Sequence, residues 1–246
     1  TELFAWVWLL GVVPVTVLVV RSAPAATLET GSDGAPPVLD GWRYGPAIRS
    51  RWFLAITAAW ILVMLAQVGA ISHLFNLATT RVDAATGARA VSLMATTSIL
   101  GRFLGGWLIT RTDTRIFALV CIVGQCCSLA WLAFAADDVA VLVGAVGFGA
   151  TVGNLLMLQP LLLAEVFGAR DYSRIYSLSQ LLTTLGIATG PALLGVLFDV
   201  LGGYEASFAI AAAGSAVAFL TLAGVGAFPV GAPADDADDA NPDGEP

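Results

Sequence analysis

The chain has 246 residues, of which 58% are hydrophobic and only 12% are charged, and its formal net charge is −7 at pH 7. A soluble domain of this length carries about a quarter charged residues, so the composition excludes an ordinary water-soluble protein and indicates a chain that folds in a lipid bilayer. Six of the 18 acidic residues lie in the last 18 positions, and the 11 basic residues are all arginine, a bias typical of a GC-rich bacterial genome.

Seven apolar stretches are long enough to span a bilayer, which takes about 20 residues. Backbone groups in hydrocarbon must bond within their own segment, so each stretch is predicted to be a transmembrane helix and no sheet is expected. The stretches are residues 3–20, 52–74, 90–110, 116–136, 139–164, 175–198 and 206–228. The sequence therefore predicts an all-α membrane protein with seven transmembrane helices.

The first stretch begins almost at once after Thr1, without the basic segment and cleavage site of a secretory signal. We therefore interpret the amino terminus as a break in a longer protein. Residues 21–51 follow as a linker, because 22–41 is rich in Ala, Pro, Gly, Ser and Thr and has no apolar period. Residues 41–51 hold three arginines with Trp42 and Tyr44, which favours a position at the lipid headgroups.

Arginine counts in the connections predict the orientation of the helices. Eight arginines lie in residues 21–51, 111–115 and 165–174, whereas the alternate connections carry only Arg81 and Arg89. Since cytoplasmic loops are enriched in basic residues, the linker and the carboxyl terminus are predicted to be cytoplasmic. The acidic tail, residues 229–246, is predicted to be disordered.

Small residues recur at helix-packing spacing. Pairs of glycines stand four residues apart, which lets the backbones of two membrane helices approach closely. These pairs are Gly101 and Gly105, Gly149 and Gly153, and Gly186 and Gly190. Pro191 follows the last pair and cannot donate a backbone hydrogen bond, so the sixth stretch is predicted to kink at Gly190-Pro191.

Arg102 is the only formal charge inside the seven stretches. It lies nine positions before Arg111, which places it roughly 13 Å inside the membrane at about 1.5 Å per residue. An arginine at that depth costs about 2.5 kcal/mol or more, so it should face a cavity or a partner. It is either a substrate ligand or a structural arginine bonded to carbonyls or to residues outside this chain.

The sequence lacks the residues of a membrane-embedded enzyme. Intramembrane hydrolysis needs a Ser/His pair, paired aspartates or a metal site, yet Asp and Glu are absent from the stretches and His73 is the only histidine. Cys121, Cys126 and Cys127 share one apolar segment and are interpreted as packing residues. We expect no metal, cofactor or nucleic-acid partner. A retinal pump would need a lysine, which the chain lacks, while a seven-helix receptor stays open.

Three motifs, taken together, resemble the carboxyl half of a major facilitator superfamily transporter. The first runs from Gly101 to Arg115, with Thr110 where that family usually has aspartate; the second is Glu165-Val-Phe-Gly168 with Arg170 close behind. The third, Gly190-Pro191-x-x-x-Gly195-x-x-x-Asp199-x-x-Gly202-Gly203-Tyr204-x-x-x-Phe208, is similar to the monocarboxylate-transporter and oxalate/formate-antiporter branch.

The resemblance, over residues 1–228, implies two six-helix halves with a substrate site between them. Residues 3–20 resemble helix 6, residues 21–51 the central loop and residues 52–228 helices 7–12. The amino-terminal half is then an absent partner. The expected function is secondary transport, by antiport or symport, of small organic anions such as mono- or dicarboxylates, with a coupled proton or counter-anion, across a bacterial inner membrane. Transport of another class, such as drug or metabolite efflux, is the alternative.

The resemblance also implies roles for particular residues. Arg102 matches the carboxylate-binding arginine of that branch, and Ser98 stands where monocarboxylate carriers have an aspartate one turn earlier. Asn154 and Gln180 are candidates for the cavity lining, although polar side chains also join helices by hydrogen bonds. Four charged residues lie at the cytoplasmic ends of helices: Arg111, Arg115, Glu165 and Arg170. They are either a charge cluster that latches the cytoplasmic side or the ordinary positive-inside charges of a membrane protein.

Overall fold

The computed structural model describes residues 40–229, and this part of the chain is built from one short helix and six long ones. The predicted helix at residues 3–20 and most of the predicted tail lie outside the described residues. The helices are α1 Tyr44–Arg49, α2 Arg51–Arg81, α3 Ala84–Ile109, α4 Thr114–Phe134, α5 Asp138–Phe167, α6 Tyr172–Leu201 and α7 Tyr204–Gly224.

Four of the six long helices, α2 to α5, begin where a side chain accepts a backbone hydrogen bond at the first turn. Such a residue satisfies one of the N–H groups that have no partner inside the helix. Ser50, Asp83, Asp113 and Asp137 do this for the N–H groups of Phe53, Thr86, Ile116 and Ala140. The caps explain why α3 starts at residue 84 and not at the predicted residue 90: the helix extends beyond its apolar stretch as far as its cap.

The predicted all-α fold class is confirmed. Residues 40–229 contain no named strand, only an isolated bridge between Gly41 and Gly168. Five of the long helices are long and apolar enough to cross a membrane by length and composition; α3 is outside that group. The sequence of α3 includes Arg89, Arg102 and several Ser and Thr residues, which make it more polar than its neighbours.

The helices pack mainly in pairs: α3 along α5, α2 along α6, and α4 along α7, with α2 also contacting α3 and α7. Two clusters of buried apolar side chains fill the bundle, one at each end. Trp60 is fully buried in one of them, and its indole N–H donates to the carbonyl of Leu155 over 3.0 Å. Burial of the indole ring and of its polar atom together fixes α2 against α5.

Glycines bring α2 and α6 into backbone contact. A Cβ on Gly186 would lie 2.5 Å from the carbonyl oxygen of Ile61, and one on Gly190 would lie 2.5 Å from that of Leu65. Gly195 lies beside the ring of His73. The prediction that this glycine face packs against another helix is therefore confirmed. The helix α6 continues through Pro191, and the kink itself stays a prediction.

Part of the predicted linker belongs to the folded body. Trp42 N–H donates to the carbonyl of Phe167 over 2.8 Å, and Ala169 N–H donates to that of Asp40 over 2.9 Å. Trp42 is buried, with edge-on contacts to Phe167 and Trp52. We call residues 40–44 the strap. Sequence composition did not reveal it, because its contacts are with a turn more than 120 positions away.

Candidate functional site

The contact between α3 and α5 contains three of the four predicted substrate-binding residues. A Cβ on Gly101 would lie 2.6 Å from the carbonyl oxygen of Ala150. One turn later, Gly105 leaves room for the side chain of Asn154. The predicted glycine pairs therefore allow the backbones of α3 and α5 to touch. Side chains that extend from this contact are held in place by close packing on both helices.

Arg102 projects from this contact and is exposed in the described part of the chain. Its stem passes over Gly153, where a Cβ would lie 2.6 Å from the Arg102 Cγ and 3.0 Å from its Nε. Within residues 40–229 the guanidinium has neither an ion pair nor a hydrogen bond; the ion pair found among these residues joins Arg89 to Asp138 over 3.0 Å. Among these residues, Arg102 is therefore a cation whose fork of donors is unused.

Ser98 and Asn154 lie on either side of the same contact. Ser98 is buried one turn before Arg102, and its backbone oxygen approaches Gly153. Asn154 is buried; its Nδ2 donates to Ala150 over 3.0 Å, whereas its Oδ1 has no hydrogen-bond donor. A buried acceptor without a donor lowers the stability of the fold by about 1–3 kcal/mol, so the Asn154 amide destabilises this contact.

Gln180, the fourth predicted substrate-binding residue, lies on α6 and is half-buried. The helix α6 packs along α2, so Gln180 is not part of the contact between α3 and α5. Its assignment to a substrate site stays a prediction.

The four residues of the predicted charge cluster occupy separate surroundings. The Arg111 guanidinium stacks 4.2 Å from the ring centroid of Trp107, and Arg115 donates to carbonyls at the end of α7. Glu165 lines a cavity of about 350 Å³ with Trp42 and other strap residues. No ion pair joins Arg111, Arg115 or Arg170 to Glu165 in the described residues, and the latch stays a prediction.

A neutral polar network joins α2, α5 and α6. The Gln159 amide donates to the hydroxyls of Ser179 and Thr183, both over 2.9 Å, and the Thr57 hydroxyl lies 2.8 Å from that of Ser179. All four side chains are buried. A buried glutamine in a membrane helix can either line a cavity or join helices by hydrogen bonds. The contacts assign it to joining helices, and the serine and threonine at four-residue spacing on α6 were the available signal.

His73 takes part in a second polar contact, between α2, α6 and α7. Its Nε2 lies 3.0 Å from the carbonyl oxygen of Pro191, which only accepts, so Nε2 carries a proton. Its Nδ1 lies 3.3 Å from the Tyr204 hydroxyl. His73 therefore has a packing role between α2, α6 and α7 that sequence reasoning did not include.

Arg81 holds the end of α4 and was not identified from sequence. Its guanidinium donates to the carbonyls of Leu132, Ala133 and Ala135 over 2.6–2.8 Å. It also lines a cavity of about 620 Å³ together with Glu205. The three carbonyls take both Nη1 hydrogens and one Nη2 hydrogen of Arg81, which leaves one Nη2 hydrogen and the Nε hydrogen for other acceptors.

The potential metal ligands among the described residues lie apart from one another, and the cysteines there are unpaired. No group of His, Cys, Asp and Glu in residues 40–229 is placed to hold a metal ion. Cys121, Cys126 and Cys127 are free thiols, and the Cys126 Sγ lies 3.3 Å from the carbonyl oxygen of Ala212.

Comparisons with known proteins agree with this architecture. The family profile described as Major Facilitator Superfamily matches residues 52–245. No curated protein matches the chain. One crystal structure of the E. coli fucose:proton symporter FucP is 16% identical with a TM-score of 0.68, over 92% of this chain and 55% of that one.

Two other solved structures are similar over about three quarters of the chain. FucP in the outward conformation is 19% identical with a TM-score of 0.62, over 73% of this chain and 43% of that one. An auto-inhibited POT family peptide transporter is 16% identical with a TM-score of 0.64, over 74% and 39%. At these identities the likeness shows the fold. The chain spans about half the length of these proteins.

Proposed function

The chain belongs to the Major Facilitator Superfamily, and on that premise we propose that it is the carboxyl-terminal part of a secondary transporter of small organic anions. It is an integral, multi-pass membrane protein by family and by the apolar length of its helices. The substrate would lie between this six-helix bundle and the half that is absent from the chain, as in transporters built from two repeats. The observation that carries the choice of an anion is the unpaired Arg102.

The position of Arg102 favours a ligand over lipid as its neighbour. It lies nine residues before Arg111, and therefore roughly 13 Å along the helix from the arginine-rich end of the bundle. An arginine at that depth costs about 2.5 kcal/mol or more, and a structural role would require a carbonyl or carboxylate partner. No such partner exists in the described residues. A bound carboxylate would provide one.

The surroundings of Arg102 support carboxylate recognition. Guanidinium groups bind carboxylates through two parallel hydrogen bonds, and close packing over Gly153 restricts the stem to one direction. Ser98 and Asn154 lie on the same contact and add short polar groups, one of which, Asn154 Oδ1, lacks a donor. Because this oxygen is buried against Gly105, the substrate would meet the Arg102 guanidinium, with Asn154 packed behind it.

The choice of carboxylates as the substrate class rests on the resemblance of one motif. The motif from Gly190 to Phe208 resembles the monocarboxylate and oxalate/formate branch, in which the position of Arg102 binds carboxylate. We place the arginine-rich end, with Arg111, Arg115, Glu165 and Arg170, on the cytoplasmic side, and propose a proton or a counter-anion as the coupled ion. In this reading the four residues close that side during transport.

Uptake by the full-length protein in proteoliposomes tests the proposal. Arg102→Lys keeps the charge but loses the two-pronged geometry, so we expect uptake of a labelled mono- or dicarboxylate to fall roughly tenfold or more. The matched control is Arg89→Lys on the same helix, whose guanidinium pairs with Asp138 at the end of the bundle. Both variants should insert into membranes normally.

Two results would overturn the assignment. Carboxylate uptake at the wild-type rate in Arg102→Lys would leave Arg102 as a structural residue. Uptake of a neutral solute or a drug, with no carboxylate flux in the wild-type protein, would replace the substrate class with the alternative of metabolite or drug efflux.

A further inference from the structure

Two arginines bracket the last turn of α7 and the residues just after it, 222–228. On one side, Arg115 of α4 donates from Nη2 to the carbonyls of Leu222 and Ala223, over 2.9 and 3.0 Å. Its guanidinium carbon lies 4.7 Å from the ring centroid of Phe228. The charge is therefore held rigidly at the end of α7, where the helix dipole also favours a cation.

The second arginine approaches the same segment from α2. The Trp52 indole donates to the carbonyl of Ala227 over 2.9 Å, and the Arg51 guanidinium carbon lies 4.7 Å from the centre of the Trp52 ring. Arg51 Nη2 is 3.9 Å from the place where a Cβ on Gly226 would stand. Trp52 thus positions Arg51 beside residues 226–228. We call Arg51, Trp52 and Arg115 the interfacial cluster.

The positive charge of the interfacial cluster is not compensated in the described residues. Neither arginine forms an ion pair there, and Arg51 forms no hydrogen bond. Arg115 Nε is buried and has no acceptor. The nearby acid on the same turn, Asp113, accepts the backbone N–H of Ile116 over 2.9 Å and serves as the cap of α4. The Arg51 guanidinium and the Nη1 group of Arg115 are therefore the donors left for an anion, since Arg115 Nη2 is occupied and its Nε is buried.

The location indicates where an anion would come from. Trp52 stands at the start of the apolar span of α2, a position where tryptophan marks the boundary of the bilayer. On α4, the apolar side chains Ile116 and Val120 follow Arg115 along one face and are 60% and 61% exposed. On α7, Leu220 is 66% exposed. A molecule with an anionic head and apolar chains matches this sequence of surfaces.

We propose that the interfacial cluster binds the phosphate of an anionic phospholipid, whose acyl chains lie along α4 and α7. Guanidinium groups suit phosphate because their planar donors meet two oxygens at once. A zwitterionic lipid also carries a phosphate, but its ammonium group would be repelled by the second arginine. Selectivity for a net negative headgroup is therefore the property that distinguishes this site from general solvation by lipid.

Native mass spectrometry of the full-length protein, extracted from bilayers of equal phosphatidylglycerol and phosphatidylcholine, measures this selectivity. Each juxtamembrane arginine strengthens anionic lipid binding by about fivefold, so the wild-type protein, with two such arginines, should retain phosphatidylglycerol about 25-fold over phosphatidylcholine. Arg51→Gln with Arg115→Gln should retain the two equally. Arg174→Gln is the matched control, because Arg174 is an exposed arginine outside the interfacial cluster, with its guanidinium carbon 5.1 Å from the Tyr44 ring centroid.

Arg51→Gln alone keeps the test decisive if the double variant unfolds, because Arg51 gives no hydrogen bond to the bundle. It should lose about fivefold in selectivity. Equal retention of the two lipids by the wild-type protein, or undiminished selectivity in Arg51→Gln, would overturn the proposal. Excess soluble glycerol phosphate should not displace the lipid; displacement would assign the cluster to a free phosphate anion and equally overturn the lipid site.

Discussion

The contacts α2–α6 and α3–α5 share close backbone approach at glycines but differ in whether their polar side chains have hydrogen-bond partners. Both use glycines spaced four apart to bring carbonyls within reach of the neighbouring helix. Between α2 and α6 the polar groups satisfy one another, through Ser179 and through His73 on Pro191. Between α3 and α5, Arg102 and Asn154 Oδ1 remain without partners in the described residues.

We propose that this difference separates a contact that serves structure alone from one that serves transport. A buried polar group without a partner reduces stability, so its presence in an otherwise close-packed contact favours an external partner. The hydrogen bonds of Ser179 and His73 between α2 and α6 need nothing from outside the bundle. We infer that α2–α6 serves as the rigid frame of this half and α3–α5 as the surface that meets substrate.

Substitution of Gly190 should have the largest effect on stability. The new Cβ in Gly190→Ala would lie 2.5 Å from the backbone oxygen of Leu65, which cannot turn aside as a side chain could. We expect a loss of about 1–3 kcal/mol from overpacking, measured as thermal denaturation in detergent. Gly195→Ala on the same helix is the control, because its Cβ would make ordinary contacts at 3.6 Å with His73. Equal losses in both variants would contradict the rigid-frame interpretation.

Removal of one amide from each contact should separate stability from transport. Gln159→Leu loses two buried hydrogen bonds, each worth about 0.6 kcal/mol in a membrane protein, and should lower stability by about 1 kcal/mol. Asn154→Ala removes an unsatisfied acceptor, so its stability should change less while its carboxylate uptake falls. Unfolding and proteoliposome uptake of the two variants provide the measurements. A larger stability loss in Asn154→Ala would make that residue structural as well.

The smallest effect should be the pH dependence of the first turn of α3. The Thr86 backbone N–H holds the pKa of the exposed Asp83 carboxyl below its ordinary value. A lowered pKa means that the cap stabilises the helix above the ordinary pKa of aspartate, about 3.9, and is lost as pH falls through the lower folded value. Amide-exchange protection of residues 84–88 should fall in acid. Residue Ser50, which caps α2 without titrating, is the internal control.

Replacing the carboxyl by an amide sharpens this last comparison. Asp83→Asn keeps a side-chain oxygen that can accept the Thr86 N–H, but it removes the titrating group. Its protection should be independent of pH after correction for intrinsic exchange. A pH dependence that persists in Asp83→Asn would place the titrating group elsewhere.

Apolar runs and glycine spacing were enough to predict the long helices and the faces that pack. Each predicted stretch from residue 52 onward falls largely within one observed helix, since burial in lipid requires the same residues that the pattern shows. Gly101, Gly105, Gly186 and Gly190 all lie at helix contacts, because only a missing Cβ permits them.

Contacts made by long polar side chains could not be predicted in the same way. Arg81 reaches carbonyls 51 to 54 positions away, and Arg115 reaches carbonyls more than 100 positions away. Nothing within either helix signals those acceptors, which exist only once the helices are placed side by side. Local pattern likewise marked Arg102 as costly but could not say which group compensates it.

The strap would transmit a force on the preceding chain to the turn between α5 and α6. Two backbone hydrogen bonds join Asp40 and Trp42 to the turn between α5 and α6, and the Tyr44 N–H donates to the Asp171 carboxylate over 2.8 Å. A pull on the chain before Asp40 would therefore load Phe167 and Ala169 before it reached the start of α2. Because this turn joins α5 to α6, a displacement of the strap would act on the ends of both helices together.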